Sequence, residues 1–230
     1  MSVWFVLSAL SLLGNPTLPL EWRQGGKTTQ IWTIPIPAAQ NHGFGFHDAP
    51  DREKGQRIGA FWSPHQYQWM VNGGYFEADF SPSGYCRIDG RDLNTRVNPK
   101  LSGFLAIDAS GRLSMHTRLP DRTRYPTILQ TGPHIIDPGG NVGIRRHTGR
   151  IAARTVIGRR TNGDLLVLVT APIDLYDLAQ LVKQEIPDIE RLLNLDGGPS
   201  TALRLGDIRI DNLTPVRNYL YKRKQTPPTP

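Results

Sequence analysis

Apolar and polar side chains alternate along several short stretches of this chain, as they do in β-strands with one buried face. Turn residues such as Asp108-Ala109-Ser110-Gly111 and Asn162-Gly163 separate neighbouring stretches, and short turns of this kind join antiparallel strands. The alternation predicts strands over residues 28–36, 66–71, 103–107, 112–115, 155–158, 165–170 and 191–195, and a hairpin over 202–210. Residues 41–59 carry Gly, Asp, Asn and Pro in proportions typical of a loop. We therefore expect a mostly antiparallel sheet.

One segment has helical periodicity instead. It opens at Asp174, whose carboxylate can cap the first turn, and it ends at Pro187. Between these two residues, apolar side chains recur every three or four positions, at Leu175, Leu178, Leu181, Val182 and Ile186. Many strands with few helices predict the α+β class, with a single domain, a mixed and mostly antiparallel β-sheet core and a few flanking helices.

The chain of 230 residues is long enough for one ordinary core and divides into three parts. Residues 1–14 are an apolar N-terminal segment, residues 15–224 form the predicted domain, and residues 225–230 are a Pro-rich tail of disordered or polyproline character. Residues 3–13 have the length of a signal-peptide core, which predicts a periplasmic or secreted protein. The alternative is an element packed on the core. No apolar run reaches the roughly 20 residues of a membrane-spanning helix.

Charge and cysteine content narrow the classes of partner and site. The chain carries 27 Lys and Arg against 20 Asp and Glu, a formal net charge of +7, which favours an anionic partner. Nucleic acid is not predicted, because no helix-turn-helix, zinc-finger or RNP pattern accompanies the charge. Cys86 is the single cysteine, which excludes an intrachain disulfide and a Cys-rich zinc site. We interpret its thiol as structural.

A short pattern occurs twice, each time at the end of a predicted strand. Val71-Asn72-Gly73-Gly74 and Leu195-Asp196-Gly197-Gly198 both place a polar side chain before two glycines. Paired glycines allow positive φ and let backbone N–H groups approach a bound anion closely, which suits a phosphate. Either motif alone is better explained by a plain strand-to-turn transition, and the presence of two shifts the balance towards a site.

Four segments together resemble the phosphodiester glycosidase family, and the resemblance extends over about residues 28–220. In chain order they are Asn72-Gly73-Gly74-Tyr75-Phe76, Gly132-Pro133-His134, Arg154-Thr155-Val156-Ile157-Gly158 and Leu193-Asn194-Leu195-Asp196-Gly197-Gly198-Pro199-Ser200-Thr201. The last segment is the most specific. Pro199 departs from the family pattern, which usually has a third glycine there, and it removes one N–H donor.

The resemblance implies hydrolysis of the bond between the anomeric carbon of a sugar and a phosphodiester oxygen. It suggests Arg154 as a grip on phosphate oxygens, His134 as a hydrogen-bond or proton donor, and Asp196 as nucleophile, electrostatic stabiliser or base for the attacking water. Glu77 and Asp79 are candidates for a second carboxylate. The implied substrate- or phosphate-binding residues are Asn72, Gly73, Gly74, Tyr75, Asn194, Gly197, Gly198 and Ser200.

The expected substrate is a sugar-1-phosphodiester or an anionic glycan of the cell envelope, but two alternatives stay open. One is a different hydrolysis or transfer at the same linkage. The other is a non-catalytic binder of polyanions that uses six arginines within 16 residues: Arg145, Arg146, Arg150, Arg154, Arg159 and Arg160.

No organic cofactor and no dedicated metal site is predicted, although Asp and Glu could bind a divalent ion without a readable spacing. His42, His47, Asp48 and Asp51 are close in sequence but lack the spacing of a ligand set. Ser200 lacks the Gly-x-Ser-x-Gly elbow of a serine hydrolase.

Overall fold

The computed structural model describes residues 20–24, 26–50 and 54–225. The N-terminal segment 1–14, residue Asp51 and the end of the Pro-rich tail lie outside the described residues, so their predictions are not tested. In chain order the strands are β1 (Leu20–Gln24), β2 (Lys27–Ile36), β3 (Phe44–Asp48), β4 (Tyr67–Asn72), β5 (Cys86–Ile88), β6 (Arg91–Asn94), β7 (Gly103–Ile107), β8 (Leu113–His116), β9 (Thr127–Thr131), β10 (His134–Asp137), β11 (Asn141–Val142), β12 (Ala152–Arg160), β13 (Leu165–Ile173), β14 (Ile189–Asn194), β15 (Leu203–Leu205), β16 (Ile208–Ile210) and β17 (Asn218–Arg223).

The strands form three sheets, and every pairing between the described strands is antiparallel. Sheet 1 has the order β1-β2-β13-β12-β14-β10-β11, sheet 2 has the order β16-β15-β4-β17-β3, and sheet 3 has the order β6-β5-β9-β7-β8. The expected mostly antiparallel arrangement is confirmed. The hairpins predicted around residues 108–111, 162–163 and 206–207 are β7–β8, β12–β13 and β15–β16.

All three sheets contribute one face to a shared central core. Val167 and Leu193 come from sheet 1, Trp69 and Leu203 from sheet 2, and Leu105 from sheet 3. Burial of these alternating apolar faces is the main stabilising contribution, because each sheet covers the others from water. Cys86 belongs to the same core, and burial raises the pKa of its thiol to about 12, which agrees with a structural role.

The outer face of sheet 1 is covered by helix α1 (Leu175–Glu185). Asp174 caps it by accepting a hydrogen bond from the Tyr176 backbone N–H, as its position in the sequence predicts. Leu178 and Val182 of the helix pack against Val156 and Leu168 of the sheet. No helix in the described part of the chain is long and apolar enough to cross a membrane.

Two expectations about the fold are wrong. Sheet dominates, and α1 is the one α-helix among the described residues, so a predominantly β domain replaces the α+β domain with several flanking helices. Residues 41–59 are not all loop, because β3 lies within them and pairs with β17. Phe44 and Phe46 alternate into the central core there, a period of two that the surrounding Gly, Asp and Asn residues conceal.

Candidate active site

The predicted site residues of the C-terminal motif and Arg154 are brought together by the pairing of β12 with β14. Asn194 lies opposite Val156, and the Leu195 N–H continues the ladder by donating to the Thr155 carbonyl at 2.9 Å. This register places Arg154 and Asp196 at the same edge of sheet 1. Two segments 42 residues apart in sequence therefore meet where β12 begins and β14 ends.

Asp196 lies two residues after the end of β14 in sheet 1, and its backbone contacts residues at the end of β4 in sheet 2. Its N–H donates to the Gly73 carbonyl at 3.0 Å, and Asn72 Nδ2 donates to its carbonyl at 2.7 Å. Its carboxylate Oδ1 accepts the Gly197 N–H at 2.8 Å, and the Ser200 hydroxyl donates to the same carboxylate. Burial nevertheless raises the pKa of Asp196 above its ordinary value. A carboxylate held in this way is fixed in orientation and available as a base or a charge stabiliser.

Residues 197–200 form a tight turn that holds the Asp196 carboxylate. Gly198 has φ of +59°, a conformation that favours glycine, and Gly198–Ser200 make one turn of 3-10 helix. Pro199 occupies the start of that turn, and its carbonyl accepts N–H groups of Leu213 at 2.8 Å and Thr214 at 3.3 Å. The missing N–H of Pro199 thus falls where a turn tolerates it, so this departure from the family pattern is compatible with the loop.

The first double-glycine motif has a different function in the structure. Asn72 is 0% exposed, and its Oδ1 accepts the Thr155 hydroxyl at 2.6 Å and the Ala202 N–H at 3.1 Å. Gly73 and Gly74 donate their N–H groups to the backbone carbonyl and the side chain of Asn218, both at 2.9 Å. The expected phosphate contact does not fit these two amides, because they already have partners. Asn72 is a positioning residue that ties sheet 2 to the Asp196 loop.

Arg154 is a buried cation with an open hydrogen-bonding side. It is 8% exposed, and its Nε donates to the Ile173 carbonyl at 3.1 Å while Nη2 donates to the Arg150 carbonyl. No ion pair formed by the described residues includes Arg154, whereas the buried Arg204 and Arg217 pair with Asp211 and Asp48. Burial lowers the pKa of Arg154, although such a group stays charged near neutrality. The charge of Asp174 also acts on the guanidinium, but without an ion pair, so Arg154 is suited to an anionic ligand.

The charges of both the Arg154 guanidinium and the Asp196 carboxylate act on Tyr75. Burial, followed by the charge of Asp196, raises the pKa of the phenol to about 12, while Arg154 and Arg150 act in the opposite direction. The Asn194 side-chain amide donates to the phenol oxygen, which leaves the Tyr75 O–H proton to donate elsewhere. The Asn194 Oδ1 atom is buried and has no partner among the described residues. The site thus combines one carboxylate with phenol and guanidinium donors.

His134, Glu77 and Asp79 are not joined to this group by any contact that the described residues make. His134 is 5% exposed, its Nδ1 lies 3.1 Å from the Ser102 hydroxyl, and its Nε2 is buried without a partner. Burial lowers the pKa of His134, so its ring is neutral near pH 7. Glu77 and Asp79 are exposed, and Asp79 Oδ1 accepts the Ser81 N–H and hydroxyl of its own turn.

The six arginines between positions 145 and 160 are divided between the two ends of β12 and do not form one basic cluster. An exposed loop before β12 carries Arg145, Arg146 and Arg150, and the far end of β12 carries Arg159 and Arg160. A strand rises about 3.3 Å per residue, so Arg159 lies about 17 Å along β12 from Arg154. Arg160 pairs with Asp188 at 2.8 Å.

The histidine segment is likewise occupied by structural contacts. His47 lies on β3 and hydrogen-bonds the Tyr67 hydroxyl at 2.8 Å, while Asp48 binds the buried Arg217. Within residues 20–24, 26–50 and 54–225, no group of three or more His, Cys, Asp or Glu side chains could hold a metal ion.

Comparison with known proteins identifies a family and a fold that this chain resembles. The sequence matches the family model described as phosphodiester glycosidase over residues 65–225. The fold is similar to the catalytic domain of zebrafish N-acetylglucosamine-1-phosphodiester alpha-N-acetylglucosaminidase, auto-inhibited by its pro-peptide, with a TM-score of 0.66 and 14% identity over 90% of this chain and 82% of that chain. It is also similar to a hypothetical protein from Synechocystis, with a TM-score of 0.69 and 14% identity over 90% of this chain and 61% of that chain. No curated protein matches the sequence.

Residues 65–225 contain both double-glycine motifs, Tyr75, His134 and Arg154, and they make up well over half of the chain. The chain therefore belongs to the phosphodiester glycosidase family.

Proposed function

We propose that this protein hydrolyses the bond between the anomeric carbon of a sugar and a phosphodiester oxygen. Water adds to the anomeric carbon, the carbon–oxygen bond breaks, and the products are a free sugar and a phosphomonoester. The observation that carries the proposal is that the Tyr75 phenol feels the charges of both the half-buried Asp196 carboxylate and the buried Arg154 guanidinium, and that this guanidinium forms no ion pair with a described residue. Family membership supports the same reaction.

Arg154 and Tyr75 suit the phosphate side of this linkage. Both present donors at one edge of sheet 1, and the phenol remains protonated because burial and Asp196 raise its pKa to about 12. A phosphate leaving group departs as an anion, so donors that stabilise negative charge lower the barrier more than a strong acid does. Arg154 would contact phosphate oxygens through its unoccupied Nη1 side, with Tyr75 donating to the same group.

Asp196 suits the sugar side. Positive charge develops at the anomeric carbon in the transition state, and a fixed carboxylate stabilises it, attacks it, or removes a proton from the incoming water. The raised pKa makes this carboxylate more basic than an exposed aspartate, which favours the last of these roles. The anomeric configuration of the first-formed sugar separates the roles, because a nucleophile gives retention and a base gives inversion.

The proposed setting is the cell envelope or the medium outside the cell, with a sugar-phosphate polymer or a related sugar-1-phosphodiester as substrate. The net charge of +7 supports attraction to such a substrate. The apolar residues 3–13 support export, and mass spectrometry of the mature N-terminus tests it. An intact Met1 in protein recovered from its native cell would contradict export by this segment.

Product analysis on a panel of sugar-1-phosphodiesters tests the activity. We expect release of free sugar and phosphomonoester by the wild-type chain, with kcat reduced about 100-fold or more in Asp196→Asn. The matched control is Asp207→Asn, which removes a carboxylate from the exposed β15–β16 turn and should leave kcat unchanged. Salt-sensitive binding of anionic glycans without any product would instead support the polyanion binder.

A further inference from the structure

A cavity lies at the end of β12 that carries Arg159, the opposite end from Arg154. Its volume is about 430 Å³, within the range of small-molecule sites, and its lining is more polar than apolar. It opens between sheets 1 and 3, where Arg159 and Leu165 of sheet 1 face Leu113 and Ser114 of β8. Arg159 and Arg154 are five residues apart on β12 and therefore point to opposite faces of the sheet. The cavity is thus separate from the candidate active site.

Three arginines line this cavity: Arg112, Arg124 and Arg159. None of them belongs to an ion pair formed by the described residues. The lining carboxylate is Asp108, whose Oδ1 accepts hydrogen bonds from the Ser110 hydroxyl and N–H and from the Arg112 N–H. The Asp108 charge also acts on Arg112, but one carboxylate faces three arginines, so the cavity keeps a net positive charge.

Other charged groups around the cavity act on its arginines only at a distance. Asp121 acts on Arg124 through its charge without an ion pair, and its carboxylate accepts hydrogen bonds from Thr123. His116 hydrogen-bonds Ser114 at 2.8 Å, and burial together with Arg191 and Arg124 lowers its pKa, so its ring is neutral near pH 7. Glu190 influences Arg159 only at a distance, because its carboxylate is bound to Arg191 at 2.6 and 2.8 Å. No carboxylate of the described chain therefore neutralises the three arginines by direct contact.

We propose that this cavity binds the phosphate group of a phosphorylated saccharide. Several guanidinium groups facing one space suit a dianionic group, because each can contact two of its oxygens. The volume leaves room for more than the phosphate, and the polar lining, with Ser114 and Asn41, suits hydroxyl groups better than hydrocarbon. The inference does not rest on the proposed reaction, because binding here can be measured whether or not the chain turns over a substrate.

The wall of the cavity is built to be rigid. Asn41 bridges the two sides by donating to the Leu113 carbonyl at 2.9 Å and accepting the Leu113 N–H at 3.0 Å. The guanidinium of Arg124 lies 5.5 Å from the centre of the Tyr125 ring, which restricts its orientation. All three arginines are exposed, so binding has to order Arg112 and Arg159, whereas Arg124 loses less entropy because its ring contact already restricts it.

Titration of the full chain with α-glucose 1-phosphate, followed by amide ¹H–¹⁵N NMR, tests this proposal. The Ser114 and Gly163 amides report on the cavity, and the Gly197 and Gly198 amides report separately on the candidate active site. We expect saturable shifts at Ser114 and Gly163 with the sugar phosphate and none with glucose. Absence of shifts at these two amides overturns the proposal, whatever happens at Gly197 and Gly198.

Paired variants separate a built site from general attraction to a basic protein. Arg124→Gln/Arg159→Gln should weaken binding at the cavity at least about tenfold, because it removes two charged donors. Arg96→Gln/Arg209→Gln removes the same charge from exposed positions outside the lining and should leave the affinity within about twofold. Equal weakening in both pairs overturns a specific site. Binding of glucuronate as tight as that of the sugar phosphate overturns the preference for phosphate.

Discussion

The two double-glycine motifs look alike in sequence and differ in what they do in the structure. Asn72-Gly73-Gly74 is buried, and its amide side chain and its backbone N–H groups bind other parts of the chain. In Asp196-Gly197-Gly198 the carboxylate stays partly accessible beside Tyr75, and the glycines shape the turn around it. The difference comes from what each motif contacts. Asn218 accepts hydrogen bonds from the N–H groups of Gly73 and Gly74, whereas in the second motif the Gly197 N–H binds the Asp196 carboxylate itself.

The largest expected effect is on stability, from a charge placed in the first motif. In Asn72→Asp the donor to the Asp196 carbonyl is lost and a carboxylate oxygen takes its place at about the same position, fully buried. Urea unfolding should show a loss of about 3 kcal/mol or more. The reverse exchange, Asp196→Asn, should fold normally. An Asn72→Asp protein as stable as wild type would show that the first motif is not the structural clamp described here.

The next largest effect is expected on turnover, beside the second motif. Arg154→Lys keeps the charge but cannot reproduce the planar two-point contact, so kcat/KM should fall about 100-fold. The loss should persist at 1 M salt, because a buried contact is screened little. Arg145→Lys in the exposed loop is the matched control and should have normal kinetics. Normal kinetics for Arg154→Lys would remove this residue from phosphate recognition.

Alanine in place of one glycine of each motif should separate their packing. A Cβ on Gly73 would lie 1.9 Å from Asn218 Oδ1, so Gly73→Ala must displace a buried side chain and should cost about 2–3 kcal/mol of unfolding free energy. In Gly198→Ala the nearest atom is 3.8 Å away, and only the positive φ opposes the change, at about 1 kcal/mol. Thermal unfolding of both variants measures the difference. A larger loss of unfolding free energy in Gly198→Ala than in Gly73→Ala would show that the second motif, and not the first, is the tightly packed one.

The smallest effect is the pH dependence of the stability difference between Asp196→Asn and wild type. Burial raises the pKa of Asp196 in the folded state above the value of 3.8 for an exposed aspartate, so the folded chain holds this proton more tightly than the unfolded chain. Wild-type stability is thus lost as pH rises through the folded pKa, and the asparagine variant does not share this loss. Relative to wild type, the variant should therefore gain stability as pH rises from well below 3.8 to 7, and the difference should be constant well below pH 3.8. A variant that loses stability relative to wild type over this range would contradict the sign.

Local features of the fold could be predicted from sequence because their causes are local. The β7–β8 and β12–β13 hairpins follow from their turn residues, and α1 follows from Asp174 and its apolar spacing. Strand β3 was missed because Phe44 and Phe46 give only two apolar positions among turn-forming residues.

The sequence motifs indicate some of the residues that the fold brings together, and they also select His134, Glu77 and Asp79, which the described contacts leave apart from that group. Asp196, Arg154 and Tyr75 could be chosen from motifs, but no motif identifies Asn218, which lies 144 positions from Gly74 and determines what the first glycines do. The Arg150 carbonyl accepts a hydrogen bond from Arg154 Nη2. This contact depends on the conformation of the loop before β12, which no sequence motif indicates.

The lack of an ion pair between Arg154 and any residue that the structure describes has a practical consequence for handling the protein. A buried guanidinium whose described hydrogen bonds go to two backbone carbonyls attracts anions from the solvent, and any anion that binds the folded chain and not the unfolded one raises its melting temperature. A phosphate buffer would therefore stabilise a stored sample and, in an assay, occupy the place of the substrate. Purification and kinetics of this protein call for different buffers, with chloride-poor, phosphate-free solutions reserved for measuring turnover.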